Sequence, residues 1–233
     1  MAKLALVGYG KMGKMLHQLS GEFGLETVLR LDEFNNANGE SMTPEKFAGV
    51  DVAIEFTSPH TVLANIEGLA KLGVPTVVGT TGWGAHRDHV KQVVAQAGIG
   101  FIHSPNFSVG VNVFARLVAE AARLLAEEPA YGAWAWELHH NQKKDAPSGT
   151  LIQLVDRMKD AGYKSHIDVS SNRAGAVPGT HEIGFDSAAD TITLRHTARN
   201  REGFARGALK AAKWLVDTKR TGFMDFTDVL FNK

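Results

Sequence analysis

Short apolar runs alternate with amphipathic stretches through the first hundred residues. Residues 4–7 are an apolar run ending at Gly8 and read as a buried strand. Met12, Met15, Leu16 and Leu19 then recur at helical spacing and are closed by Gly21, predicting a helix over residues 11–20. Residues 26–31, 50–56, 75–79 and 100–103 predict four more strands. Ser58-Pro59 predicts the start of a helix running toward Leu72, because proline suits a first helical turn. Residues 85–97 predict a further helix. Strands and helices joined by short turns make a parallel sheet covered on both faces.

The rhythm changes after Asn106. Residues 109–128 carry one long helical pattern with no strand partner, and residues 133–138 (AWAWEL) alternate small and large side chains. A helix over 149–161, strands at 167–171, 181–185 and 191–196, and an amphipathic helix over 203–215 complete the chain. The fold class expected is α/β: an N-terminal Rossmann-type parallel sheet, then a second α+β domain with a mixed sheet. Residues 1–107 are the expected dinucleotide-binding domain and 108–202 the substrate-binding and oligomerisation domain. The segment 203–233 is expected to pack back on the first domain.

Composition narrows the class without naming a function. The 233 residues are 44% hydrophobic and 21% charged, as in ordinary globular chains. Basic and acidic residues balance at 25 each, so no global charge draws the chain to nucleic acid. Cysteine is absent, which excludes disulfides and thiolate metal sites. No apolar run approaches the roughly 20 residues that span a bilayer. The N-terminal residues run directly into a strand, so no signal peptide is expected. The expectation is a cytoplasmic protein with no membrane partner.

Gly8-Tyr9-Gly10-Lys11-Met12-Gly13 fits G-x-G-x-x-G between a strand and a helix, the context the chemistry needs. The glycines allow a tight turn, approach of a pyrophosphate and close helix–strand packing. A carboxylate for the ribose is expected about 20 residues on, and Asp32 stands there. Asp32 and Glu33 disfavour a 2′-phosphate, while Arg30 and Lys11 are nearby cations, so NADH is favoured with some use of NADPH. Gly79-Thr80-Thr81-Gly82 and Ser104-Pro105-Asn106-Phe107 follow two other strands, where ligands of such sheets bind.

Residues 137–150, ELHHNQKKDAPSGT, concentrate titratable groups before a helix start. Free N–H groups led by Ser148, Gly149 and Thr150 offer a carboxylate seat. His139 and His140 point opposite ways on an extended segment and do not share one job. Lys143 is near enough to join either. Together these groups suit a site that holds an anion and protonates it. Trp134 and Trp136 share a face and read as packing or a subunit surface. Arg195, His196, Arg199 and Arg201 read as an exposed face. His86 and His89 lack a third ligand, so no metal is expected.

The H-H-x-x-K-x-D-A-P-S-G-T run resembles the active-site motif of the 4-hydroxy-tetrahydrodipicolinate (dihydrodipicolinate) reductases. VGYGKMG, GTTG, PNFSVGVN and the R-x-x-F before the last helix match in order, so the resemblance covers essentially the full length. It implies that His139 is the main proton donor and Lys143 a second one, and that His140, Gly149 and Thr150 bind a small cyclic dicarboxylate. It implies that Gly8 through Gly13, Asp32, Gly79, Thr80, Thr81, Ser104, Pro105, Asn106 and Phe107 bind the dinucleotide. It also implies a homotetramer built on the second sheet and a place in diaminopimelate and lysine synthesis. The pair Asp32-Glu33 departs from some relatives and bears on the choice between NADH and NADPH. Two other readings remain: another nicotinamide-dependent dehydrogenase of amino-acid metabolism, or a dinucleotide-binding sensor without chemistry.

Overall fold

The computed structural model describes residues 1–36 and 39–231. Two compact units form, one from Met1–Ser108 with the chain from Phe204 onward, the other from Val109–Gly203. Elements are numbered along the chain.

In the first unit, β1 (Ala2–Val7), β2 (Leu25–Leu31), β3 (Val52–Glu55), β4 (Thr76–Val78), β5 (Gly100–His103) and β10 (Gly222–Asp225) make one sheet. Its order is β10-β5-β4-β3-β1-β2 and every pairing is parallel. β3 and β5 are buried at every position, as strands covered on both faces must be, whereas β2 at the edge alternates. Helices α1 (Lys11–Ser20), α2 (Val62–Lys71) and α3 (Arg87–Ala97) connect the strands. Leu69 packs with Ala5, Val7, Phe47 and Ala53, and Ile66, Val90 and Val94 pack with Val78, Trp83 and Phe101. The chain leaves β1 toward β2 and then returns to β3 on the other side. In sheets of this kind ligands bind at such a reversal, outside the C-terminal ends of the strands, here β1 and β3.

Two sequence expectations need correction here. The helix expected from Ser58 begins at Val62, because Ser58 O accepts from both Thr61 N and Val62 N at 3.1 Å and closes a turn first. Sequence reading also passed over β10 and the short helix α7 (Phe226–Phe231). β10 is only four residues long and half-buried at the sheet edge, so it carries no strong periodicity. Asp225 anchors it, with Oδ1 3.0 Å from His103 Nε2 and Oδ2 3.2 Å from Arg87 Nη2.

In the second unit, β6 (Gly132–His139), β7 (Ile167–Arg173), β8 (Thr180–Asp186) and β9 (Thr191–Thr197) form a mixed sheet ordered β7-β6-β8-β9. β6 and β7 are parallel; the other pairs are antiparallel. Phe114 and Val118 of α4 (Val109–Leu124) and Leu151, Leu154 and Met158 of α5 (Gly149–Asp160) pack on Ala133, Ala135, Ile183 and Phe185. The opposite face carries Trp134 and Trp136, both half-exposed. A Cβ on Gly184 would come within 2.0 Å of the Trp134 ring, so glycine makes the seat for that indole. Helix α6 (Glu202–Thr218) leads into the last strand of the first unit. Among the described residues no helix is long and apolar enough to cross a membrane.

Candidate active site

The turn after β1 is built by contact. Gly8 has φ +102°, and a Cβ there would stand 1.9 Å from Phe56 O. A Cβ on Gly13 would stand 2.1 Å from Gly8 O, so any side chain would push α1 away from the turn. Gly10 caps α1 without a side-chain hydrogen bond, and a Cβ there would meet nothing within 4 Å. The first turn of α1 therefore points its N–H groups outward with no side chain over them, which fits a pyrophosphate. Tyr9 is tied to α1 by its hydroxyl, 2.5 Å from His17 Nδ1, and Arg30 lies over its ring at 5.7 Å.

Asp32 follows β2 and fastens its own loop. Its Oδ1 accepts from Phe34 N at 3.0 Å and Asn35 N at 3.2 Å, while Asp32 N donates to Asn35 Oδ1. Among the described residues, both N–H groups that Asp32 accepts from fall on Oδ1. Lys11 and Arg30 are exposed near this end of the sheet.

The loops after β3, β4 and β5 are braced beneath their surface. Thr57 N donates to Thr80 Oγ1 at 2.7 Å, and Trp83 Nε1 donates to Thr80 O at 2.8 Å. Gly79 gives room to the Phe56 ring, which a Cβ would meet at 2.0 Å. Glu55 is fully buried under these loops. It accepts from the hydroxyl of Thr57 and the amide of Asn65, and its Oε2 has no hydrogen-bond partner. Burial raises its pKa, against the pull of the Thr57, Thr80 and Asn65 groups. Ser104 Oγ donates to Asn106 O, and Asn106 Oδ1 accepts from Ser108 N. The Phe107 ring is 1% exposed and packs against Phe56 and Phe226.

In the second unit, strand alternation puts Glu137 and His139 on the helix-covered face, beyond Ala133 and Ala135. Register sets Ser171 and His181 beside Glu137, and Arg173 beside His139. Glu137 Oε1 accepts from Ser148 N at 2.9 Å, Ser171 Oγ at 3.0 Å and Arg173 Nη2 at 2.9 Å. Its Oε2 lies 3.5 Å from both His139 Nδ1 and His181 Nε2. At that separation no hydrogen bond forms, and Oε2 and His139 Nδ1 are both buried without one. Glu137, His181, Arg173 and Ser171 carry no role in the sequence reading. Sequence offered one signal for them: a carboxylate at an inward position of an alternating strand.

Burial alone would raise the Glu137 pKa, but the bonds from Ser148, Arg173 and Ser171 outweigh it and hold the carboxyl low. The His139 pKa is lowered, first by burial; Glu137 opposes this, while Lys143, Arg173 and His140 add to it. Burial and then His139 push His181 down to about 4. The two imidazoles meet edge to face, with ring centroids 5.1 Å apart. On the other side of His139, a Cβ at Gly179 would lie 2.9 Å from Nε2.

Ser148 is the N-cap of α5, its Oγ accepting from Leu151 N at 3.2 Å. Gly149 is exposed, Thr150 half-exposed, and a Cβ on Gly149 would meet nothing within 4 Å. Lys143 Nζ is held by both oxygens of Asp145, at 2.8 and 2.9 Å. His140 is half-buried at the end of β6.

Comparisons with known proteins agree on one family. The model described as dihydrodipicolinate reductase, N-terminus, matches residues 2–107, and its C-terminal counterpart matches residues 110–230. The 4-hydroxy-tetrahydrodipicolinate reductase of Christiangramia forsetii is 35% identical, covering 97% of each chain. That of Methanosarcina barkeri is 33% identical over 95% of this chain and 82% of its own. A dipicolinate-bound dihydrodipicolinate reductase from Paenisporosarcina has the same fold, with a TM-score of 0.79 at 23% identity over 97% of each chain. A probable dehydrogenase from Thermotoga maritima is more distant, with a TM-score of 0.60 at 10% identity over 97% and 92%. With both halves matched in order, this chain belongs to the dihydrodipicolinate reductase family.

Proposed function

We propose that this chain reduces 4-hydroxy-tetrahydrodipicolinate to tetrahydrodipicolinate in the diaminopimelate route to lysine. The observation that carries the reading is the junction of β6 and α5. There a buried histidine, a lysine and the Ser148-capped start of a helix stand within one short stretch. A nicotinamide dinucleotide, when bound, supplies the hydride. The turn from Gly8 to Gly13, Asp32, and the loops of Gly79, Thr80, Thr81, Ser104, Pro105, Asn106 and Phe107 would hold it. Glu55, buried beneath, accepts from the hydroxyl of Thr57, whose N–H in turn donates to Thr80.

On the substrate side, the α5 N-terminus at Ser148, Gly149 and Thr150 and the imidazole of His140 hold the carboxylates. His139 gives the proton that balances the hydride, and Lys143 assists as a second donor. In the free protein His139 favours its neutral form, because burial outweighs Glu137. A dianionic substrate beside it would raise its proton affinity and favour the charged, proton-donating form. Loss of the 4-hydroxyl as water needs an acid at the same place.

Asp32 and Glu33 favour NADH, while Arg30 and Lys11 permit some NADPH. The helix-free face of the second sheet, with Trp134 and Trp136, is the surface on which a homotetramer would assemble; its mass in solution is the direct check.

The experiment is a coupled assay that generates the unstable substrate in place and follows NADH and NADPH oxidation. His139→Gln and Lys143→Ala are each expected to cut turnover by about 10²–10⁴-fold, the usual yield of a positioned acid. Dinucleotide affinity should stay near that of the unaltered chain. Full turnover in both variants would show that protonation happens elsewhere.

A further inference from the structure

Glu137 lies outside the groups assigned above, yet it is more deeply buried than either histidine beside it. Its two oxygens have different surroundings. Oε1 is saturated by Ser148, Ser171 and Arg173. Oε2 is enclosed with no donor, and the atoms nearest to completing it are His139 Nδ1 and His181 Nε2, each 3.5 Å away. A buried carboxylate oxygen left without a donor is costly. An approach of about half an ångström would bring either ring N–H to ordinary hydrogen-bond length.

Three side chains of this cluster, Glu137, His139 and His181, also stand close enough together to hold a metal ion. The Arg173 guanidinium on the same carboxylate argues against one. It already neutralises Glu137, so a dication would bring uncompensated charge into a buried site. The arrangement is better suited to fixing a proton. Two rings compete for one oxygen, and they are not equivalent. His181 Nε2 has a second neighbour, Ser148 Oγ at 3.3 Å, whereas His139 Nδ1 has none. Oε2 therefore falls to His139.

We propose that Glu137 is a positioning residue for proton transfer: its Oε2 takes the Nδ1–H of His139, which fixes the tautomer and turns Nε2 toward the reacting molecule. The idea rests on the reading of His139 as the proton donor. It explains why a carboxylate occupies an inward strand position at the edge of an apolar core. It also explains the glycine at 179, which leaves space on the Nε2 side of the ring. The other groups around His139 and His181 are Arg173 on β7, His196 on β9, and His140 and Lys143 at the end of β6, with Asp145 holding Lys143.

Glu137→Gln keeps an acceptor for Ser148 and Ser171 and removes the charge from His139. The expected result is a loss of at least tenfold in kcat, with KM for both substrates within about twofold. The falling high-pH limb of kcat/KM, where His139 loses its proton, should move to lower pH by about one unit. A folded Glu137→Gln variant with that limb unmoved overturns the proposal. A second measurement uses the unaltered protein: ¹⁵N and ¹H NMR of the His139 ring above neutral pH. The neutral ring should carry its proton on Nδ1; a proton on Nε2 overturns the proposal even if Glu137→Gln fails to fold. The two levels of the argument fail differently. If the reductase reading is wrong, the unaltered chain gives no turnover; if only the role of Glu137 is wrong, turnover is normal and the limb or tautomer is not as stated.

Discussion

Lys143 and Asp145 form a bidentate ion pair two residues apart, with Nζ 2.8 and 2.9 Å from the two carboxylate oxygens. The pair keeps the lysine charge compensated beside His139. An incoming carboxylate must compete with Asp145 for the same ammonium group. Asp145 is more than half exposed, so the pair is worth at most about 1 kcal/mol. Asp145→Asn should therefore lower KM for the dicarboxylate by up to about fivefold. Steady-state kinetics across substrate concentration checks this, and a raised KM would mean that Asp145 orients the lysine rather than competing for it.

Gly179 sets the distance available to the His139 ring. A methyl group there would stand 2.9 Å from Nε2 and 3.1 Å from Cδ2, at a backbone φ of +153°. The imidazole must yield by a few tenths of an ångström, at the atom proposed to face the substrate. Small misplacements of an acid cost much more in rate than in stability. Gly179→Ala is expected to lower kcat about tenfold while the melting temperature falls only a few degrees. Turnover equal to that of the unaltered chain would place the reacting atom away from Nε2.

Acid should destabilise the fold before its carboxylates titrate. His181 is held down to about 4 by burial and by His139, and His139 is lowered as well. An unfolded histidine titrates near 6.5. Between about pH 6.5 and 4 the unfolded chain binds more protons than the folded one, so stability falls as pH falls through that window. Glu137 is lowered instead, and its contribution is lost only below about pH 4.5, which separates the two effects. By pH 5 the loss from His181 is about 2 kcal/mol, roughly 4–8 °C in melting temperature for a chain of this size. His181→Gln should flatten the dependence between pH 7 and 5. A melting temperature constant over that range in the unaltered protein would contradict the shift.

What the sequence disclosed and withheld follows from how local each interaction is. The start of α1 and the Asp32 loop are set by neighbours in the chain, and so is the Ser148 cap, whose partner is Leu151. Those positions were legible. Ser171 and Arg173 reach Glu137 from 34 and 36 positions away, through the register of β7 on β6. No local pattern specifies that register. The alternation AWAWEL did carry a hint, since it put Glu137 on the side of Ala133 and Ala135. The packing of the Phe107 ring on Phe56 and Phe226 was equally hidden, because both partners lie far along the chain. β10 escaped because four half-buried residues at a sheet edge look like any short loop.

Cofactor choice turns on separating two jobs of Asp32. Its Oδ1 holds the loop through Phe34 N and Asn35 N, and in the function proposed above its charge would face the ribose. Asp32→Ala would remove both, and a loosened loop would weaken NADH and NADPH alike. Asp32→Asn keeps an oxygen for the two N–H groups and removes only the charge. A carboxylate facing a 2′-phosphate in a partly solvated site would repel it by about 1–2 kcal/mol. Removing it should raise the ratio of kcat/KM for NADPH over NADH about tenfold. Arg30 supplies the opposing charge from its place over Tyr9, so Arg30→Ala should lower NADPH use and leave NADH use nearly unchanged. The two substitutions are close enough to couple, and the double variant should fall between the singles in its cofactor ratio. If Asp32→Asn leaves the ratio where it was, the carboxylate serves the loop alone and discrimination lies with another group.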